Sequence, residues 1–130
     1  MEVLKHPNIV EFQEQYTSHQ RGVLNIVLEY ADSGDLAQKI RERKGKGKAV
    51  HWSEDQVLDW FTQICLAVKH VHDRKILHRD IKPSNVFLSG KDKVKLGDFG
   101  IAKVLNKTKS NAKSFVGTSY YMSPEILKGK

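Results

Sequence analysis

The 130-residue sequence predicts an α+β fold, and three features of the sequence support this prediction. Two apolar runs rich in β-branched residues, one beginning at Ile9 and the other covering 23–30, are typical of an antiparallel strand pair. Apolar residues recur at three- and four-residue steps between 54 and 72, which predicts an amphipathic helix of about five turns. Two further short runs, 86–88 and 94–96, flank the turn-forming residues 89–92 and predict a hairpin.

The composition is that of a globular domain, with 39% hydrophobic and 28% charged residues. The single cysteine, Cys65, lies in the apolar helical pattern and is interpreted as a small buried side chain. One cysteine gives no disulfide framework, which agrees with a reducing compartment. No apolar stretch approaches membrane-spanning length, and the first residues lack a signal-peptide pattern. We expect an intracellular, cytoplasmic protein without a membrane partner; nuclear or cytoskeletal association stays open.

The net charge of +7 could indicate a nucleic-acid partner. Much of it comes from the basic residues of 41–48, a run without the interleaved aromatic residues on which bases stack. A solvated loop is the simpler interpretation, so we expect no nucleic acid among the partners. Steep salt dependence of binding through 41–48 would favour the alternative.

Start and stop signals define the helices. Residues 1–5 resemble the last turn of a helix that ends because Pro7 disfavours helical backbone at His6. A short helix is expected over 36–43. Ser53 and Gln56 form a capping box for the long helix, with Trp52 against Val57 as a hydrophobic staple. Its expected buried face consists of Val57, Phe61, Ile64, Val68 and Val71, widened by Cys65 and Leu66.

The residues that suggest chemistry are concentrated in His78-Arg79-Asp80-Ile81-Lys82-Pro83-Ser84-Asn85, followed by Asp98-Phe99-Gly100. Phosphoryl transfer needs a base that orients the attacking hydroxyl, a cation for the phosphoryl charge, and oxygen ligands for Mg²⁺. Asp80, Lys82, Asn85 and Asp98 supply these groups, and the predicted hairpin between the motifs would bring them into one cleft. The alternative is a charged turn followed by an ordinary bend. Two motifs in order, each bounded by strand-like runs, favour catalysis.

These motifs resemble the eukaryotic protein kinases of the Ser/Thr type. The runs that carry the likeness are most similar to the NIMA-related kinases: LKHPNIV (4–10), EYADSGDL (29–36), NVFL (85–88), VKLGDFGIAK (94–103) and FVGTSYYMSPE (115–125). The resemblance implies a protein-kinase-like two-lobe fold, incomplete. Residues 1–30 would be a remnant of the N-lobe, with the end of the family's αC helix and its fourth and fifth strands. Residues 31–130 would be the hinge and the helical C-lobe as far as the Ser-Pro-Glu motif.

The resemblance assigns catalytic roles residue by residue. Asp80 would orient the substrate hydroxyl, and Lys82 would contact the γ-phosphate, a position that is typical of Ser/Thr kinases. Asn85 and Asp98 would hold Mg²⁺. The implied cofactors are therefore ATP and Mg²⁺, and the implied partners are proteins with Ser or Thr acceptors.

Nucleotide contacts are also implied. Backbone groups of Glu29 and Ala31 in the hinge would bond the adenine, next to Leu28 as gatekeeper. Phe87 would form part of the floor beneath the adenine ring. Asp35 would bond the ribose hydroxyls; a helix N-cap is the alternative role for this residue, and both roles could hold together.

The segment 98–125 matches an activation segment, while a plain Ser/Thr-rich loop is the alternative. Arg79 would pair with a phosphorylated residue of this segment. Ser114 is the first candidate for that phosphorylation, with Thr118 second. Thr118 would also contact both Asp80 and Lys82.

Three parts of a kinase are not found in the sequence: a glycine-rich phosphate loop, the lysine strand that follows it, and the helices after the Ser-Pro-Glu motif. We therefore expect a fragment of a longer chain, with little or no activity by itself. A naturally truncated product is the alternative. A non-catalytic kinase-like binding module is the rival function.

Overall fold

A computed structural model describes residues 4–18, 22–44, 51–90, 92–100, 103–104 and 118–128, the pair 103–104 by its backbone alone. The elements in chain order are β1 (Phe12–Ser18), β2 (Val23–Leu28), α1 (Leu36–Lys44), α2 (Glu54–Asp73), β3 (Ile76–Leu77), β4 (Val86–Ser89), β5 (Lys93–Leu96), β6 (Lys103–Val104) and α3 (Pro124–Leu127). Short 3₁₀ turns cover Pro83–Asn85 and Ser119–Tyr121. The predicted α+β content is confirmed.

Strands β1 and β2 form the expected antiparallel pair, with Ser18 opposite Val23 at the turn end. The prediction that β1 begins at Ile9 is wrong, because the strand begins at Phe12. Residues 8–10 instead lie along β5, where Leu96 exchanges backbone hydrogen bonds with Asn8 and Val10. Ile9 is 1% exposed, so burial against β5 accounts for its apolar character.

The first residues differ from the expected helix end. Residues 4–6 have no regular secondary structure, and 1–3 lie outside the described residues. Leu4 is buried in the core, and the turn that follows is closed by a hydrogen bond from the Ile9 amide to the His6 carbonyl.

Helix α2 has nearly the predicted bounds, and the Ser53 half of the predicted capping box is confirmed, since Ser53 Oγ accepts a hydrogen bond of 3.2 Å from the Gln56 backbone amide. The predicted hydrophobic staple between Trp52 and Val57 is wrong. Trp52 packs edge-on against Trp60 at 5.2 Å between ring centroids, while Val57 is 48% exposed. Trp60 presents a larger apolar surface to Trp52 than Val57 could.

The predicted buried face of α2 is correct only in part. Trp60, Ala67 and Val71 are buried, and Ile64 and Val68 pack against the core. The expected core residues Val57, Phe61 and Leu66 are about half exposed or more, and Cys65 is exposed rather than buried. The helix carries apolar side chains around more of its circumference than its neighbouring strands β3 and β5 can cover.

The predicted hairpin is confirmed by the antiparallel pairing of β4 and β5, with Val86 opposite Leu96. A second short pair joins β3 and β6. Val86, Leu88, Val94 and Leu96 supply much of the core beneath α2. Among the residues described, none of the helices combines the length and apolarity needed to cross a bilayer.

Candidate active site

The segment 78–85 connects β3 to β4 and is fastened to the residue that follows β5. The Gly97 carbonyl lies 2.8 Å from His78 Nε2, and the Gly97 amide donates to the Asn85 carbonyl at 3.0 Å. Both ends of the segment are therefore held to one backbone position, immediately before Asp98. This connection explains why two motifs separated in sequence share one site.

His78 is the buried pivot of this connection, with 2% of its surface exposed and its ring 4.6 Å from the ring of Phe99. Its Nδ1 accepts a hydrogen bond from the Asp80 amide, so the proton belongs on Nε2, which donates to Gly97. Burial lowers the pKa of His78 and favours this neutral form. The sequence analysis gave His78 no role, although its place in the motif was a usable signal.

Asp80, Lys82 and Thr118 form one hydrogen-bonded group. Lys82 Nζ lies 2.7 Å from Asp80 Oδ2 and donates to Thr118 Oγ1 at 2.6 Å. Thr118 contacts Asp80 Oδ1 twice, through its hydroxyl at 2.8 Å and its amide at 3.1 Å. The predicted contact of Thr118 with both residues is confirmed. The start of the 118–128 segment is thereby attached to the 78–85 segment.

The charge of Asp80 follows from these contacts. Its side chain is 11% exposed, and burial by itself raises the pKa of the carboxyl group. Hydrogen bonds from Lys82, Thr118 and Asn85 outweigh burial and lower the pKa to about 2. Asp80 is therefore a carboxylate at any physiological pH.

Asn85 and Asp98 are the two expected metal ligands. The Asn85 amide nitrogen donates to the Asp80 carbonyl at 2.8 Å and to its carboxylate at 3.1 Å, which leaves Oδ1 as the ligand atom. Asp98 follows Gly97, has an exposed side chain and adopts a positive φ of 56°. One carboxylate and one amide oxygen fit Mg²⁺, which takes few protein ligands and completes its shell with phosphates and water. Within the described residues no cluster of three or more His, Cys, Asp or Glu forms an all-protein metal site.

Residues 33–35, which include the expected ribose ligand Asp35, lie along the edge of β4 that does not pair with β5. Ser33 and Gly34 exchange backbone hydrogen bonds with Leu88, and Asp35 bridges to Phe87. Asp35 caps helix α1, because its Oδ1 accepts from the Gln38 amide at 2.8 Å. The alternative interpretation of Asp35 as an N-cap is thus confirmed, while its ribose role stays a prediction, as do the roles of Ala31 and Phe87.

Glu29 has a side-chain contact that the sequence analysis missed. Lys95 Nζ lies 2.7 Å from Glu29 Oε1. Lys95 is 7% exposed, and a lysine in the apolar strand 94–96 was the available signal, because a buried ammonium group needs a counter-charge.

The regulatory residues are only partly described. Ser114 lies outside the described residues. Arg79 is half-buried beside Asp80 in a left-handed conformation with a φ of 69°. The pairing of Arg79 with a phosphorylated residue stays a prediction.

Comparison with known proteins defines the class. A family model described as "Protein kinase domain" matches residues 1–130. The structure is similar to a chain of the "Crystal Structure of the yeast RNA Pol II CTD kinase CTDK-1 complex", with a TM-score of 0.83, 32% identity and coverage of 99% of this chain and 40% of that chain. The chain therefore belongs to the protein kinase domain family.

Relatives narrow the class to the NIMA-related Ser/Thr type. The chain is 54% identical over 127 residues to "Serine/threonine-protein kinase Nek1" of Mus musculus, covering 98% of this chain and 10% of the relative. It is 53% identical over 131 residues to human Nek5, covering 100% of this chain and 18% of the relative. For human Nek2 the identity is 50% over 129 residues, with coverage of 95% and 28%. The chain thus spans less than a third of the length of these relatives.

Proposed function

We propose that this chain is part of a protein kinase domain that transfers the γ-phosphoryl group of ATP to serine or threonine hydroxyls of proteins. In this proposal residues 1–30 belong to the small lobe, and 31–130 to the hinge and the first part of the large lobe. The observation that carries the proposal is the hydrogen-bonded group of Asp80, Lys82 and Thr118. This group joins a carboxylate, a cation and the segment that begins at Thr118.

The first role of Asp80 is to orient the substrate hydroxyl. Four donors surround its two oxygens: the Thr118 amide and hydroxyl at Oδ1, and Lys82 and Asn85 at Oδ2. A carboxylate has about four lone-pair directions, so a substrate hydroxyl displaces or shares one of these donors. With a pKa of about 2, Asp80 is a weak base, and it accepts the hydroxyl proton only as the new O–P bond forms.

Lys82 and the expected metal ligands stabilise the negative charge of the phosphate groups. The Lys82 ammonium group, with a side chain 20% exposed, offsets charge on the transferred phosphoryl group. Asn85 Oδ1 and Asp98 would hold Mg²⁺, which supplies charge neutralisation and orientation of the phosphates when bound. Backbone groups of Glu29 and Ala31 would bond the adenine ring above Phe87.

Regulation and location complete the proposal. We infer an intracellular, cytoplasmic kinase in which phosphorylated Ser114 pairs with Arg79 and orders the segment before Thr118. The 130 residues alone are expected to transfer phosphate slowly, because no glycine-rich loop stands upstream of the hinge to hold the ATP phosphates.

The test uses the native polypeptide that contains this chain. Transfer of labelled γ-phosphate from ATP to casein is compared between the wild type, Asp80→Asn and Asp73→Asn. Asp73 is a matched control, because its side chain is 56% exposed and forms an ion pair with Lys69 on the surface of α2. We expect Asp80→Asn to lose on the order of 10²- to 10⁴-fold in rate, with Asp73→Asn unchanged.

An Asp80→Asn variant with full activity would contradict the proposed mechanism. A wild type that binds Mg²⁺-ATP without turnover would favour the non-catalytic binding module. Phosphopeptide mass spectrometry of the active fraction tests Ser114 in the same preparation, and an active enzyme without phosphate at Ser114 would remove it as the regulatory site.

A further inference from the structure

A buried ion pair joins the hinge to the strand that leads to Asp98. Lys95 Nζ lies 2.7 Å from Glu29 Oε1 and donates to Oε2, also at 2.7 Å, so the ammonium group contacts both carboxylate oxygens. The side chain of Lys95 is 8% exposed and that of Glu29 is 26% exposed. The pair is therefore largely withdrawn from solvent, unlike the exposed pairs on α1 and α2.

Glu29 is also fastened to Glu11, the residue before β1. The Glu11 amide donates to Glu29 Oε2 at 3.1 Å, and the Glu29 amide donates to the Glu11 carbonyl at 2.8 Å. Glu11, Glu29 and Lys95 are named here the hinge clamp. Both the backbone and the side chain of Glu29 are held by the clamp.

The position of Lys95 links the clamp to the rest of the site. Lys95 stands opposite Phe87 in the β4–β5 hairpin and precedes Asp98 by three residues. The clamp thus joins the start of the hinge to the strand pair that carries the adenine floor and the metal ligand.

Withdrawing a lysine and a glutamate from water is costly, and apolar residues of similar volume would often serve stability equally well. Burial raises the pKa of Glu29, but the Lys95 hydrogen bond and the Glu11 amide outweigh it and lower the pKa. Glu29 is therefore a carboxylate at neutral pH, and its geometry is fixed by hydrogen bonds from two sides. Because hydrogen bonds are directional, this arrangement restricts the backbone of Glu29 to one position more strictly than an apolar contact would.

We propose that the hinge clamp is a positioning device that holds the backbone of 29–31 in the conformation that binds the adenine ring. Lys95 is thereby a positioning residue for nucleotide binding, and this inference rests on the proposed kinase function. A hinge that is already ordered loses less conformational entropy when the nucleotide binds. The clamp therefore raises the affinity for adenine nucleotides.

The test uses three variants of the native polypeptide that contains this chain. Lys95→Met keeps the length of the side chain and removes the charge, and Lys95→Arg keeps the charge. Lys93→Met removes the same charge from an exposed position of the same strand. Hydrogen exchange of 29–32 is measured without nucleotide, and the Kd of methylanthraniloyl-ADP, a fluorescent nucleotide, is measured by titration.

For Lys95→Met we expect hinge amides to exchange about tenfold faster and Kd to rise about three- to tenfold, equivalent to about half to one power of ten in binding. Lys95→Arg and Lys93→Met should remain near the wild type in both measurements. If Lys95→Met fails to fold, as judged by circular dichroism, Glu29→Gln provides the same comparison.

The outcomes separate the two proposals. Unchanged hinge exchange in Lys95→Met, or faster exchange with an unchanged Kd, would overturn the clamp as a positioning device. A wild type that binds no adenine nucleotide while its hinge amides are protected would overturn the kinase function instead.

Discussion

Asp80 illustrates how neighbouring side chains fix the charge of a single residue. Lys82, Thr118 and Asn85 all donate to its carboxylate, so the ionised form is favoured in the folded chain. The same donors give Asp80 one orientation and keep it from rotating freely. The donors therefore lower the basicity of Asp80, but they fix the direction from which its carboxylate accepts the substrate hydroxyl.

The low pKa of Asp80 predicts an acid-dependent loss of stability. Its folded-state pKa of about 2 is below the ordinary value of 3.8, so its contribution is present above pH 3.8 and is lost as the pH falls towards 2. After allowance for solvent screening, that contribution is on the order of 1 to 2 kcal/mol. Urea unfolding at several pH values between 5 and 2.5 should show the free energy of unfolding of wild type falling more steeply than that of Asp80→Asn.

The comparison between the two proteins cancels the titration of the other carboxyl groups. Asp73→Asn, on the exposed side of α2, serves as the control and should follow the wild type closely. Parallel pH profiles for the wild type and Asp80→Asn would contradict the assigned pKa.

The motif residues could be predicted from the sequence, because eight consecutive positions carry most of the groups that are proposed to act in catalysis. The assignments of Asp80, Lys82, Asn85 and Asp98 therefore needed no tertiary information. The partner of Lys95 could not be identified in this way, since Glu29 is 66 positions away. Partners across such a separation are decided by the packing of several elements, which a local pattern does not contain.

Among the elements, the β4–β5 hairpin determines the geometry of the site, and Gly97 at its end has no room for a side chain. A Cβ at Gly97 would lie 2.7 Å from Phe87 Cε2, closer than real Cβ contacts allow, and 3.0 Å from Val10 Cγ2, tighter than most of them. We predict that Gly97→Ala lowers the free energy of unfolding by about 1–3 kcal/mol, because the ring of Phe87 and the 8–10 segment must shift. Urea unfolding at neutral pH measures the effect.

Gly90→Asn is the matched control at the turn of the same hairpin. Gly90 has a φ of +54°, which asparagine tolerates, and nothing lies within 4 Å of an added Cβ. Gly90→Asn should therefore change the free energy of unfolding only slightly. Equal destabilisation by the two substitutions would show that the hairpin responds to any loss of glycine and would contradict the steric argument.

Helix α2 shows where periodicity is informative and where it stops. The pattern located the helix and its Ser53 cap, because both depend on neighbours within a few residues. It misjudged the buried face, since apolar residues occur on more than one side and the pattern does not say which side faces β5. Trp60, absent from the expected core, is buried, whereas Phe61, next in the chain, is 61% exposed.

At the scale of the whole molecule, large apolar side chains lie at the surface on several elements, among them α2 and β2. On α2, Leu58 is 52% exposed and Phe61 is 61% exposed, one turn apart on the same face. On β2, Leu24 and Ile26 are 57% and 51% exposed. Contiguous apolar patches of this kind promote association between molecules. The net charge of +7 opposes association, but salt screens it.

We therefore predict that the 130-residue chain self-associates, and more strongly as salt is added. Replacing Leu58 and Phe61 together by glutamine should shift the chain towards the monomer in sedimentation velocity runs across a wide concentration range. The free energy of unfolding should change little, within about 0.5 kcal/mol, because both side chains are already largely in water. Val71→Gln is the contrasting control: Val71 is 0% exposed, so this substitution should unfold the chain rather than solubilise it. A wild-type chain that stays monomeric at high salt would contradict the prediction, since the exposed α2 face would then have no tendency to associate.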